Sequence, residues 1–197
     1  MNIREIRIDK IASIKPFDCG DDDLNEFLSE KSKNYQQNLL ANTFVFEDET
    51  QTLAYYSILN DSLRIEDIAF VSKNALKNFL QRLFPHSKRH LKHYPAIKIG
   101  RLAVSKEAQK LGLGRKIVDT IINYVIMQNE RCACKFIFVD AYKNAVGFYE
   151  KMQFEYFSGS DVNEDTRQMY LNITPLINAK REQQNYFNHQ NSENYDT

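Results

Sequence analysis

Gly100-Arg-Leu-Ala-Val-Ser-Lys-Glu-Ala-Gln-Lys-Leu-Gly-Leu-Gly114 is the stretch on which the reading of this 197-residue chain turns. It runs from an apolar strand end through a short turn into Gln-x-x-Gly-x-Gly at the start of a helix. Upstream, Ile97, Ile99, Leu102 and Val104 mark a strand between Pro95 and Ser105. Downstream, Leu113, Ile117, Val118, Ile121, Ile122, Val125 and Ile126 recur at three- and four-residue steps, which gives one apolar helix face. Gly112 and Gly114 let the backbone take left-handed angles and let its amides approach an anion closely. The first N–H groups of a helix lack intrahelical partners and sit at the positive end of its dipole, so this turn is suited to a pyrophosphate.

Two common phosphate loops are excluded. A nucleotide P-loop needs Gly-Lys-Ser/Thr, whereas Gly114 is followed by Arg115 and Lys116. A dinucleotide fingerprint needs a third glycine and an acid ending the next strand at the ribose distance; the spacing lacks both, and Asp140 lies too far along.

A second block follows. Phe136-Ile-Phe-Val-Asp140 is an apolar run suited to a buried parallel strand, and Asn144-Ala-Val-Gly-Phe148-Tyr149-Glu-Lys-Met-Gln-Phe154 comes after it. Together the two blocks resemble the GNAT superfamily of acyl-CoA dependent N-acetyltransferases, with Gln153 where that family usually has glycine in a turn. Phe17-Asp18-Cys19-Gly20-x-x-x-Leu24-x-x-Phe27-Leu28, Tyr55-Tyr56-Ser57, Gly100-Arg101-Leu102-Ala103-Val104 and Asp140-Ala141-x-x-Asn144 narrow the likeness. They resemble the TacT-type toxins, GNAT enzymes that acetylate the amino acid carried on charged tRNA.

The resemblance implies a three-layer α/β (α+β) fold: a central mixed, mostly antiparallel sheet with splayed central parallel strands and flanking helices. It implies acetyl-CoA as cosubstrate, without a metal. Contacts to it are expected from Leu102, Ala103 and Val104 on the strand, from Gln109, Lys110, Leu111, Gly112, Leu113, Gly114 and Arg115 in the loop, and from Asn144 and Tyr149. It further implies an amine acceptor, with tRNA, a protein antitoxin and a second copy of the chain as expected partners.

Acetyl transfer needs a neutral amine, a stabilised oxyanion and a proton donor for the departing thiolate. Tyr149, at the family's tyrosine position, is the candidate donor: a phenol with a pKa of about 10 is protonated at neutral pH. Arg101 stays protonated and cannot act as a base. No carboxylate occurs on the 97–104 strand. A missing base suits an α-amine, whose pKa of about 8 leaves a fair fraction neutral, better than a lysine at about 10.4. Water or Glu66 could otherwise serve. The readings are therefore an N-acetyltransferase of aminoacyl-tRNA, a GNAT enzyme of a small-molecule or protein amine, and a non-catalytic acyl-CoA binding module.

Composition agrees with one domain, expected over residues 1–177, followed by a polar tail at 178–197 that buries little. No run approaches the roughly eighteen apolar residues of a membrane span, and Met-Asn-Ile-Arg-Glu-Ile-Arg has no signal-peptide core, so a cytosolic location is expected. Cys19, Cys132 and Cys134 form no even disulfide set.

The net charge is zero, yet charge is segregated. Residues 1–67 hold seven Lys/Arg against fourteen Asp/Glu, whereas residues 68–106 hold nine Lys/Arg and no acid. Such a block can supply sequence-independent affinity for phosphates or be a solvated face; Lys88, Arg89, Lys92 and Arg101 are its candidate substrate or RNA contacts. His86, His90 and His93 share a helical spacing, but Lys88, Arg89 and Lys92 between them repel a cation, so no metal site is expected.

Overall fold

Alternating apolar residues build one sheet. The computed structural model describes residues 3–67, 72–84 and 91–193. Its strands are β1 (Arg4–Arg7), β2 (Asn42–Glu47), β3 (Thr52–Arg64), β4 (His93–Val104), β5 (Phe136–Tyr142), β6 (Glu155–Tyr156) and β7 (Thr166–Asn172). They lie in the order β1-β2-β3-β4-β5-β7-β6. The β4–β5 pair is parallel, and the other neighbours are antiparallel.

Helices cover both faces. On one, α4 (Leu113–Gln128) seats Ile117, Val118, Ile121 and Val125 against Ile97, Ile99, Ile137 and Val139, with α5 (Val146–Lys151) alongside. Each of these fully buried aliphatic side chains contributes about 1.5–3 kcal/mol relative to exposure. On the other face, α3 (Lys73–Leu83) packs near Phe136, Phe138 and Tyr170. The same face carries α1 (Asp22–Glu26) and α2 (Ser32–Gln37), joined by a π turn over Phe27–Lys31, which cover Val45, Tyr55 and Ala103. Phe136 and Phe138 thus point one way and Ile137 and Val139 the other, which explains why β5 reads as an unbroken apolar run.

Asp21 caps α1 through a 3.0 Å hydrogen bond accepted from the Leu24 N–H, and Asp22 and Asp23 follow in the first turn, where negative charge is favoured. The hairpin between β2 and β3 is held by Asp48, whose carboxylate accepts from the backbone of Thr50 and Gln51.

A bulge in β4 positions the site. Ile99 pairs with Ile58 and Arg101 with Ser57, so Gly100 is an extra residue. Leu102 and Val104 consequently join Ile97 and Ile99 on the α4 face, while Arg101 turns toward α1. A Cβ at Gly100 would lie 3.1 Å from Leu59 Cδ2, so the bulge uses glycine for close approach.

Some sequence expectations shift. The first strand ends at Arg7, because Ile8 opens a 3₁₀ turn and is fully buried beside Phe27 and Leu28. Pro95 lies inside β4, not at its boundary. Gln153 has φ 65°, the left-handed turn that glycine would relieve. Residues beyond 177 continue α6 (Thr174–Glu193) across the expected domain boundary, with Leu176 and Ile177 packed on the α4-side core. The run from Ala179 to Gln183 consists of good helix formers, and α6 has no glycine, so propensity supports a helix although residues 178–183 are largely exposed.

Candidate active site

Parallel pairing between β4 and β5 stops at Ile99 and Val139, and beyond that point a cleft of about 210 Å³ opens between the strands. The bulged residues Gly100, Arg101 and Leu102 line one side, and Asp140, Ala141 and Tyr142 the other; Tyr149 and Leu24 also border it. Backbone groups on the β5 side of β4 are thereby released from sheet pairing, which suits the amides of an extended ligand arm.

The loop after β4 leads to α4. Gln109 spans it, donating from Nε2 to the carbonyls of Cys19 and Val104 at 3.2 Å each. Lys110 and Gly112 have φ 66° and 81°. Within α4, the Lys116 N–H returns to the Gly112 carbonyl at 3.1 Å, so the N–H groups of Leu113, Gly114 and Arg115 precede the first helical bond. A Cβ at Gly114 would lie 3.3 Å from the Phe148 ring and 3.9 Å from Val104, so this glycine brings β4, α4 and α5 together. At Gly112 a Cβ would meet nothing within 4 Å, which leaves open space over the loop for a phosphate. Leu111 is exposed, and so is Asn144, on the 3₁₀ turn Lys143–Ala145.

Tyr149, on α5, is 5% exposed. Its ring packs against Phe148 and Phe154. Among the described residues its hydroxyl makes no hydrogen bond, although it borders the cleft. Burial pushes its phenol well above the usual value, so it remains protonated.

Charged groups around the cleft are arranged in pairs. Lys98 Nζ lies 2.6 Å from Asp140 Oδ2, a pairing not evident in the sequence. Arg101 stacks 5.0 Å over the Phe27 ring, donates from Nη1 to the Gly100 carbonyl, and holds Nε 3.8 Å from Asp23. Among the described residues that Nε is enclosed without a hydrogen bond. Tyr142, half exposed at the mouth, has its phenol raised by burial and by the carboxylates of Asp21 and Asp23.

Leu102 and Tyr149 thus share the cleft with Arg101, while Val104 and Gln109 to Arg115 do not line it and follow along the chain from β4 into α4. Ala103 faces the opposite core with Tyr55. Leu24, Lys98, Asp140, Tyr142 and Thr166 border the cleft without having been singled out as site residues. Glu66 sits in a 3₁₀ turn after β3 and does not line it.

Lys88 and Arg89, like His86 and His90, lie outside the described residues. Lys92 precedes β4, where its carbonyl accepts from Ile65. His93 opens β4 instead of sharing a helix face, and no group of metal ligands forms among the described residues. The cations of residues 68–106 are partly matched by acids from elsewhere: Arg82 by Glu155, Lys98 by Asp140, Arg101 by Asp23 and Lys106 by Asp18. The three cysteines are free, and no helix among the described residues is long and apolar enough to cross a membrane.

Comparison with known proteins agrees with this geometry. Residues 86–169 match the family model of the acetyltransferase (GNAT) domain. A structure of a bacterial toxin superposes with a TM-score of 0.74 at 17% identity, covering 91% of this chain and 96% of that one. The toxin AtaT complexed with acetyl-methionyl-tRNAfMet gives 0.70 at 22% identity, covering 89% and 97%. A tyrosine-to-phenylalanine variant of AtaT, bound to the C-terminus of the antitoxin AtaR and acetyl-CoA, gives 0.65 at 20% identity, covering 88% and 94%. At such identities the superpositions establish the fold, and residues 86–169 within it match the acetyltransferase (GNAT) domain.

Proposed function

We propose that this chain transfers the acetyl group of acetyl-CoA to the α-amine of an aminoacyl-tRNA. The observation that carries the reading is the cleft at the β4–β5 splay, bordered by the Tyr149 hydroxyl, unpartnered among the described residues, with the amides of the Gly112 loop following β4. The amine nitrogen attacks the thioester carbonyl, the C–S bond breaks, and the proton lost by nitrogen ends on sulfur or in solvent. The products are an acetamide and CoA. Tyr149 donates a hydrogen bond to the departing sulfur. Because a thiol has a pKa of about 8.5 and this phenol sits above 10, the proton stays mainly on oxygen and the hydrogen bond lowers the barrier.

The acceptor assignment has separate support. Asp140 is the one carboxylate lining the cleft among the described residues, and Lys98 holds it at 2.6 Å, so it is poorly placed as a base. An α-amine, already part neutral at physiological pH, needs less help than a lysine. AtaT, similar in fold, is known in complex with acetyl-methionyl-tRNAfMet, and a protein antitoxin is proposed as a partner here by the same likeness.

A second reading has an observation of its own. Four cations of the basic stretch face carboxylates, which lowers the charge left for RNA and favours a small-molecule or protein amine. Salt dependence separates the two, since phosphate contacts give a steep fall in affinity with ionic strength.

The test is mass-spectrometric detection of acetyl groups on a pool of charged tRNA, with wild type and Tyr149→Phe side by side. Acetylated α-amines with wild type, and a rate lower by about 100-fold with the variant, support the reading. No acetylated aminoacyl group despite acetyl-CoA binding refutes the acceptor. Equal rates for the two proteins refute the role of Tyr149.

A further inference from the structure

The turn Phe17-Asp18-Cys19-Gly20 does not line the cleft; it lies against the loop that follows β4. Two of its carbonyls take donors from that loop: Asp18 from the Lys106 N–H at 2.9 Å, and Cys19 from Gln109 Nε2 at 3.2 Å. The Asp18 carboxylate closes the contact. Its Oδ2 lies 2.7 Å from Lys106 Nζ, while Oδ1 accepts from the Gly20 N–H at 2.8 Å and from Asn25 Nδ2 at 3.2 Å. These donors, the Lys106 ammonium foremost, hold the Asp18 carboxyl below its ordinary range. Gly20 fits the contact: its φ is 89°, and a Cβ there would lie 2.9 Å from Lys106 Cε. Asn25 ties the turn to α1, accepting from the Cys19 N–H at 3.0 Å.

A loop that binds an anion through backbone amides must be ordered before those amides can converge on it, and any order still missing is subtracted from affinity. Between β4 and α4 the loop has one short 3₁₀ turn, Lys106–Ala108, and left-handed angles at Lys110 and Gly112. The Asp18 turn grips it at Lys106 and again at Gln109, on either side of that 3₁₀ turn. We propose that Asp18 is a positioning residue for the acyl donor: by holding Lys106 across Gly20, it presets the Gly112 loop for a pyrophosphate. This rests on the reading of that loop as the acetyl-CoA site and adds a residue outside the cleft. An exposed ion pair alone is worth little, so the effect comes from one carboxylate shared among three donors. The sign of the effect is diagnostic. Were Lys106 itself a phosphate ligand, Asp18 would compete for it, and removing the carboxylate would tighten donor binding; a positioning role loosens it.

The test is calorimetric titration of acetyl-CoA into the full chain as wild type, Asp18→Ala, Lys106→Met and Lys106→Arg, with thermal melting to check folding. Asp18→Ala and Lys106→Met are each expected to raise the Kd by about five- to tenfold, whereas Lys106→Arg keeps the wild-type value within about twofold. Asp18→Asn, which removes the charge and keeps an oxygen for Gly20 and Asn25, gives the same direction should Asp18→Ala fail to fold. Hydrogen exchange of the ligand-free proteins reads the positioning itself: residues 106–115 are expected to exchange faster in Asp18→Ala, with β5 unchanged. Unchanged or tighter acetyl-CoA binding by the Asp18 variants, or an equal loss in Lys106→Arg and Lys106→Met, overturns the role of Asp18 while the donor site stands. Faster exchange throughout the chain overturns it in favour of a general loss of stability. Absence of acetyl-CoA binding by wild type overturns the donor-site reading and this inference with it.

Discussion

The two sides of the cleft are built by different means. On the side proposed for the donor, the loop from Gln109 to Arg115 offers backbone: left-handed angles at Lys110 and Gly112, free amides at the start of α4, and open space over Gly112. On the side proposed for the acceptor, the walls are side chains from α1, the π turn, α2, β3 and β4: Leu24, Phe27, Tyr35, Leu59 and Arg101. A backbone cradle serves one unchanging ligand and constrains a few residues tightly. A side-chain pocket can be retuned position by position, so specificity belongs there.

The contrast gives unequal expectations on its two sides. Gly112→Glu should weaken acetyl-CoA binding most, on the order of 100-fold, because a carboxylate about 5 Å from the pyrophosphate adds about 3 kcal/mol of repulsion. Gly112→Ala separates charge from backbone strain, since a β-carbon at φ 81° costs stability by about 1 kcal/mol without adding charge. Calorimetric titration and melting check both.

Arg101→Gln should raise the acceptor KM about tenfold, the worth of one charge-assisted hydrogen bond, and leave the KM for acetyl-CoA in place. Initial rates over a grid of both substrates read this directly. A rise confined to acetyl-CoA would move Arg101 to the donor side.

Two buried tyrosines sharpen the contrast further. The Tyr55 hydroxyl donates to the Leu24 carbonyl at 2.7 Å, whereas Tyr149 has no partner among the described residues. Tyr55→Phe should therefore cost about 1 kcal/mol of stability, and Tyr149→Phe close to none. Both phenols are raised by burial. A raised folded pKa makes its contribution fully present below the unfolded value of about 10 and lost as pH climbs beyond it. Denaturant melts at pH 8 and pH 11 should accordingly show wild type falling further than Tyr149→Phe, by up to about 1.4 kcal/mol per pH unit above 10.

Much of the donor side was legible because glycine spacing and helix periodicity lie within one continuous segment, from Ile97 to Ile126. The acceptor side was not, because Phe27, Tyr35, Leu40 and Leu59 meet only when α1 and α2 fold over β3 and β4. The bulge left a trace in the sequence: apolar positions run Ile97, Ile99, then Leu102 and Val104, a break in strict alternation that one extra residue repairs. The charge segregation proved a property of the chain order, since Asp18, Asp23 and Asp140 meet Lys106, Arg101 and Lys98 in space. Polar composition beyond residue 177 reports poor burial and does not by itself mark a helix, whereas helix propensity needs no burial.

Hydrogen exchange with and without acetyl-CoA tests the division between the two sides most directly. The expected result is slowed exchange at the amides of residues 110–115, with residues 22–40 unchanged until an acceptor is added. Protection at residues 22–40 by acetyl-CoA alone, with the Gly112 loop exchanging as before, would contradict it.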